Sequence, residues 1–251
     1  MPGDTALALA RALALVRDLR ARCPWDRAQT RATLRPYLVE EALELDHALN
    51  QGDAARLRDE LGDLLLHLAF QLVIGEERGE FDAETVTRAL EEKMRRRHPH
   101  LFGLGDKPPS WELGKREPGT GHRSVLDGMP ATLPPLLMAY RLQERAAGVG
   151  FDWPDATGPI LKVKEEIAEV ERETGHGKRE TIEDEIGDLL FAVVNLARKL
   201  AIDPRAALER ANDKFTRRFE GVERLAEQRG LDLGRAGVAD LDRLWDEVKA
   251  G

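Results

Sequence analysis

Cysteine is almost missing: Cys23 stands alone in 251 residues. One thiol can neither close an intramolecular disulfide nor build a metal–thiolate site, and this usage fits a reducing cytoplasm. Positive charge is not in excess either. The formal net charge of −8 argues against a general binder of nucleic acid or of an anionic membrane. Long apolar runs are absent too, and nothing approaches the roughly 20 apolar residues that span a bilayer. The Ala- and Leu-rich start, MPGDTALALARALALVRDLRAR, is interrupted by Arg11, Arg17 and Asp18, and Asp4 stands where a secretory signal would be basic. At a period of 3.6, Leu9, Leu13 and Val16 make an apolar stripe, so this start reads as an amphipathic helix. No run alternates convincingly with the period of a strand. What remains, 42% hydrophobic and 33% charged, is a soluble helical chain long enough for one large domain or two small ones.

The chain repeats itself. Glu40, Glu41, Glu44, Glu60 and Asp63 recur at Glu165, Glu166, Glu169, Glu185 and Asp188, each pair 125 residues apart. The second half of the motif sits in DELGDLLLHLA and again in DEIGDLLFAVV. Each copy has an amphipathic helix upstream and a tryptophan loop, CPWD and then FDWPD. Downstream, Lys93, Arg96 and Arg97 match Lys214, Arg217 and Arg218. An ordered series of this kind is internal duplication. The spacing predicts helices near 5–22, 35–51, 53–78 and 82–97, and then near 133–147, 157–174, 178–202, 204–229 and 238–249. Asp53, Asp82 and Asp203 stand at N-cap positions and Pro204 at a first helical position, while Gly52, Gly79 and Gly175 mark stops. The expected domains are 1–103 and 133–251, joined by a Gly/Pro-rich linker over 104–132.

EExxE on one helix and ExxD on its antiparallel neighbour face each other, because Glu44 and Glu60 lie equally far from the turn near residue 52. Four or five converging carboxylates cannot all stay ionised without a cation. An all-oxygen set without Cys or His suits a hard ion, Mg²⁺ with Mn²⁺ as the alternative. Gly62 and Gly187 stand mid-helix inside ExxD, where glycine costs roughly 1 kcal/mol against alanine. They point to the close approach of a backbone or a ligand, against which stands plain tight helix packing. The basic triplets, on the helix after the acids, read as counter-charges for a phosphate chain. Metal, polyphosphate and cations together specify phosphoryl-group hydrolysis.

With these motifs, and with CPWD, RRHPHLFG, SVLDGMP, GVGFDW, GDLLFAVVNLARKL and KFTRRF, the chain resembles the two-copy MazG nucleoside triphosphate pyrophosphohydrolases. The resemblance runs from about Leu19 to Glu223. It implies an all-α fold of tandem duplicated four-helix MazG-like bundles, Mg²⁺ dependence, a homodimer, and cleavage of a nucleoside triphosphate to the monophosphate and pyrophosphate. It implies that Glu166, Glu169, Glu185 and Asp188 hold Mg²⁺ in copy two, with Glu41, Glu44, Glu60 and Asp63 as their equivalents. Glu165 and Glu40 would orient or deprotonate the attacking water. Lys214, Arg217 and Arg218, and in copy one Lys93, Arg96 and Arg97, would contact the triphosphate. Trp245 lies where the family places an aromatic near the base, and a core role on the last short helix is the equal alternative. The downstream helix with Trp245 favours copy two as the working copy, although Trp111 could substitute in copy one. No membrane and no stable nucleic-acid partner is expected. Two other readings stand beside this one. Glu44-x-x-His47 has the spacing of a di-iron carboxylate bundle, but Arg172 replaces the histidine in copy two, and His67 reads as incidental. The other is a non-enzymatic helical interaction module.

Overall fold

The computed structural model describes residues 2–108 and 124–250. Among these the regular structure is helical, and the chain divides into two compact units, Met1–Pro108 and Pro109–Gly251.

The first unit contains α1 (Pro2–Arg22), α2 (Pro24–Ala28), α3 (Arg31–Gln51), α4 (Ala54–Glu77) and α5 (Ala83–Arg97), then a 3-10 turn at Pro99–Leu101. Helix α3 begins four residues before its expected start. Thr30 accepts from the backbone N–H of Thr33, and the Thr33 hydroxyl accepts from the N–H of Thr30, a capping box that starts the helix and carries Pro36 inside it. Asp53 accepts from the N–H groups of Ala55 and Arg56 to start α4, and Gly52, at φ 72°, takes the left-handed turn before it. The core joins Val16 of α1 and Leu34 of α3 to Ala69, Phe70, Val73 and Ile74 of α4. Buried Arg20 locks the corner, donating to Glu77 at 2.6 Å and to the carbonyls of Asp26 and Gln29. Helix α5 is the fourth long helix of this unit; it buries no residue, and Val86 and Leu90 of its apolar stripe stay exposed.

The second unit contains α6 (Pro135–Ala147), α7 (Thr157–His176), α8 (Arg179–Lys199), α9 (Pro204–Gln228) and α10 (Val238–Ala250). Helix α7 passes the expected stop at Gly175 and ends at Gly177, so a two-residue turn brings α8 back alongside it. Helix α6 packs on α8, and α9 packs mainly on α10. There Val222, Ala226 and Leu244 form a small core with Trp245 and Val248 against it. Asp152, in the tryptophan loop, pairs with Arg198 at 2.5 Å and Lys199 at 3.0 Å of α8. The Trp153 ring lies on Gly158, where a Cβ would clash with it. Most of the expected linker, residues 109–123 with Trp111, lies outside the described residues. Its far end is fastened to α6, since Arg145 donates to the carbonyls of Val125 and Asp127.

Candidate active site

The acids of copy two converge as their spacing requires. Oxygens of Glu166 on α7 and of Glu185 and Asp188 on α8 lie within 4.8 Å of one another. Glu165, Glu166 and Glu169 form a second such group, so Glu166 belongs to both. Glu166 is only 3% exposed. Its Oε1 lies 2.6 Å from Nζ of Lys162, while its Oε2 is buried and accepts no hydrogen bond. Lys162 also donates to Glu165 at 2.8 Å, and the two carboxylates hold its ammonium well above the usual lysine range. Glu169 is pushed up, by burial first and then by the neighbouring Glu166 and Glu185 carboxylates. A buried carboxylate oxygen without a partner, with further carboxylates converging around it, is a donor set fitted to a hard divalent cation.

Copy one gathers a smaller group. Glu41, Glu60 and Asp63 come within 4.8 Å of one another, while Glu40 and Glu44 are exposed and do not join it. Glu41 is raised by burial first, then by Asp63, Glu44, Glu60 and Glu40. Buried His67 lies beside this group. Its Nε2 lies 3.9 Å from Glu41 and its ring stacks on Tyr37 at 6.5 Å.

Beside Glu166 and Asp188 opens a cleft of about 490 Å³ between α6, α7, α8 and the tryptophan loop. Leu142, Ala146, Phe151, Trp153, Phe191 and Ala192 make its apolar walls, and Gln143, Lys162, Asn195 and Arg198 are its polar side chains. The same register in copy one carries apolar and aromatic side chains. Along α4, Ala192, Asn195 and Arg198 are replaced by His67, Phe70 and Val73, and on α3 Lys162 is replaced by Tyr37. Phe70 and Val73 belong to the core of that unit. A volume that is cleft in one copy is packed side chain in the other.

The basic residues do not line this cleft. Lys214 and Arg217 on α9 are exposed, Arg218 is half-buried, and none of the three makes an ion pair among the described residues. Lys93 and Arg96 on α5 are exposed and Arg97 is half-buried. Trp245 is half-buried against Phe215, ring centroids 5.3 Å apart, with Lys249 over its ring at 5.8 Å. It packs against the α9–α10 core. A Cβ at Gly62 or Gly187 would meet nothing within 4 Å, so tight packing of the chain against itself is not what these glycines serve. Lys162, Gln143, Asn195 and Arg198 line the cleft, and motif reading passed over them. Only Lys162 carried a signal, three and four residues before Glu165 and Glu166.

Fold and site together define an all-α protein with a duplicated carboxylate cluster, open to a cleft in one copy. The MazG nucleotide pyrophosphohydrolase domain matches twice, at residues 29–102 and 157–222. A nucleoside triphosphate pyrophosphohydrolase/pyrophosphatase MazG of Thermotoga maritima is 43% identical over 234 residues, covering 91% of this chain and 90% of that protein. A nucleoside triphosphate pyrophosphohydrolase of Escherichia coli is 41% identical over 245 residues, 93% of each chain. The protein YabN of Bacillus subtilis is also 41% identical over 245 residues, which make up 50% of its own length. The chain belongs to the MazG family, with the domain present twice.

Proposed function

We propose that this chain hydrolyses nucleoside triphosphates to the monophosphate and pyrophosphate, and that copy two does the work. The observation that carries the reading is the buried, unpartnered Oε2 of Glu166, in a cation site that opens onto a cleft of nucleoside size. Glu166, Glu169, Glu185 and Asp188 hold Mg²⁺, or Mn²⁺ in its place. The ion supplies charge neutralisation on the phosphate oxygens and lowers the pKa of bound water. Glu165, exposed at the rim, orients or deprotonates the attacking water. Lys162 can turn from the two glutamates to the phosphate chain, and Lys214, Arg217 and Arg218 offer further cations to it. Copy one, with its cleft filled, keeps a cation site and serves the fold. The names of the bacterial relatives support this activity, and a role in controlling the nucleotide pool of the cytoplasm follows from it.

A homodimer is part of the proposal. Leu161, Ile167, Ile186, Leu190 and Val193 of α7 and α8 are exposed and apolar, a face that a second copy would cover. No helix among the described residues is long and apolar enough to cross a membrane, and no nucleic-acid partner is proposed. The test is incubation with Mg²⁺ and each common nucleoside triphosphate, with the products separated. Monophosphate plus pyrophosphate is expected; diphosphate plus orthophosphate as first products overturns the bond assignment, and silence with all substrates overturns the activity.

A further inference from the structure

Lys162 already neutralises the carboxylates that an ion would need. Its Nζ lies 2.6 Å from Oε1 of Glu166 and 2.8 Å from Oε1 of Glu165. Glu166 belongs to both groups of converging acids in copy two, so an ion held by either group needs it. The lysine holds one of its oxygens, and the other is buried without a partner. Lys162 stands one turn before the two glutamates on α7, so its ammonium is tethered beside them and can only swing about its stem. Lys162, Glu166 and Asp188 line the same cleft. Copy one is built otherwise. Tyr37 takes the lysine's place there, and Arg56 of α4 lies 3.5 Å from Glu60.

We infer that Lys162 gates the carboxylates of copy two, so that a divalent cation and a phosphate chain bind well together and poorly apart. The inference rests on the proposed function only for the phosphate chain as the ligand. When Glu166 turns to a divalent cation, the ammonium loses its buried partner and stays within reach of a like charge. Exposed Glu165 alone holds it weakly. A phosphate oxygen in the cleft offers the ammonium a charge-assisted bond and draws it away from Glu166. The converse also holds, because phosphates entering without the ion meet converging carboxylates whose own cation is engaged. Linkage makes the effect reciprocal: the factor that the phosphate chain adds to the affinity for metal is the factor that metal adds to the affinity for the chain. The gate reads phosphate and charge alone, and no base takes part in it.

The experiment is equilibrium dialysis of Mn²⁺ against the full-length protein, with and without methylenediphosphonate, a phosphate-chain analogue that water does not cleave. Wild type is compared with Lys162→Met. Chelation of Mn²⁺ by the diphosphonate and binding at the acids of copy one are common to both proteins and drop out of the comparison. The gain in Mn²⁺ affinity that the diphosphonate brings should be smaller in Lys162→Met by about tenfold or more. Without the diphosphonate this variant should bind Mn²⁺ more tightly than wild type. Lys162→Arg keeps a cation on the same turn and should keep most of the gain, which separates the charge from the packing of the stem. An equal gain in wild type and Lys162→Met overturns the inference, and so does weaker Mn²⁺ binding by Lys162→Met without the diphosphonate. Triphosphate hydrolysis by the wild type, measured beside the dialysis, separates the two claims. A gain lost in Lys162→Met, with no hydrolysis by the wild type, supports the gate and sinks the activity. An equal gain beside active hydrolysis sinks the gate alone.

Discussion

Nζ of Lys162 lies 2.6 Å from Oε1 of Glu166, so copy two carries a cation of its own where its acids are most buried. A divalent ion must compete with that ammonium. Lys162→Met should lower the stability of chelator-treated protein by about 1 kcal/mol, a figure kept small because the lysine is more than a third exposed and screened. The same substitution should tighten Mn²⁺ binding several-fold, read by titration, and lower the rate of hydrolysis. Weaker Mn²⁺ binding would show that Lys162 supports the ion rather than displaces it.

Removing a carboxylate ligand from copy two should be costly. Glu185→Ala or Asp188→Ala is expected to reduce kcat at least about a hundredfold, the scale on which metal-held charge stabilisation acts. Glu60→Ala or Asp63→Ala should change it little, because the register beside those acids is filled by His67, Phe70 and Val73. Pyrophosphate release at saturating Mg²⁺ measures both. Equal losses would mean that the copies share the chemistry.

Acid–base behaviour without metal has two limbs. Glu41 and Glu169 are raised from 4.5 in the fold, so their contribution is complete below that value and is lost as the pH rises through the raised ones. Asp152 is lowered from 3.8, first by its hydrogen bond with Arg198 and against its burial. Its contribution is present above 3.8 and is lost as the pH falls through the depressed value. Thermal midpoints in chelator should therefore fall towards neutral pH, and fall again in strong acid. Mg²⁺ should abolish the first decline, and Asp152→Asn should flatten the second. A midpoint that is flat to neutral pH in chelator would remove the case for strained carboxylates.

Equivalent positions should differ in what they cost. Phe70 is 4% exposed in the core of its unit, and Phe70→Ala should destabilise by about 3–5 kcal/mol. Its counterpart change, Asn195→Ala, lies at the cleft and should cost less than about 1 kcal/mol. Chemical denaturation followed by circular dichroism gives both numbers, and similar losses would show that the cleft is as packed as the core.

Gly187→Ala adds a methyl group into open space on α8. Helix propensity then favours the variant by up to about 1 kcal/mol. A higher melting midpoint with lower kcat/KM is the expected combination under the proposal that the bare backbone there admits a ligand or a second copy. Unchanged activity would leave the glycine without a functional reason.

Much of this could be read from residue order, and the remainder fails for identifiable reasons. Asp53, Asp82 and Asp203 set three helix starts because an aspartate cap acts within a single turn. The start of α3 was harder, since Pro36 suggests a first turn while Thr30 and Thr33 make the actual cap. The acids were legible because two helices joined by a short turn bring equal heights together, and the duplication says so twice. The cleft was not. It is an absence, left by Ala192 where copy one has His67, and its amides, Gln143 and Asn195, come from two helices well apart in sequence. Whether Trp245 sits in a core or against a ligand depends on how α9 and α10 pack, which no short string of residues encodes.

The different filling of one register has a thermodynamic consequence. Ligand that enters only one unit stabilises only that unit, by RT ln(1 + [L]/Kd), or roughly 2.7 kcal/mol at a hundred times Kd. Heated in a calorimeter with saturating nucleotide, the protein is expected to give one unfolding transition that climbs with ligand and one that stays where it was. A single transition that climbs as a whole would mean that the duplicated units answer the substrate together.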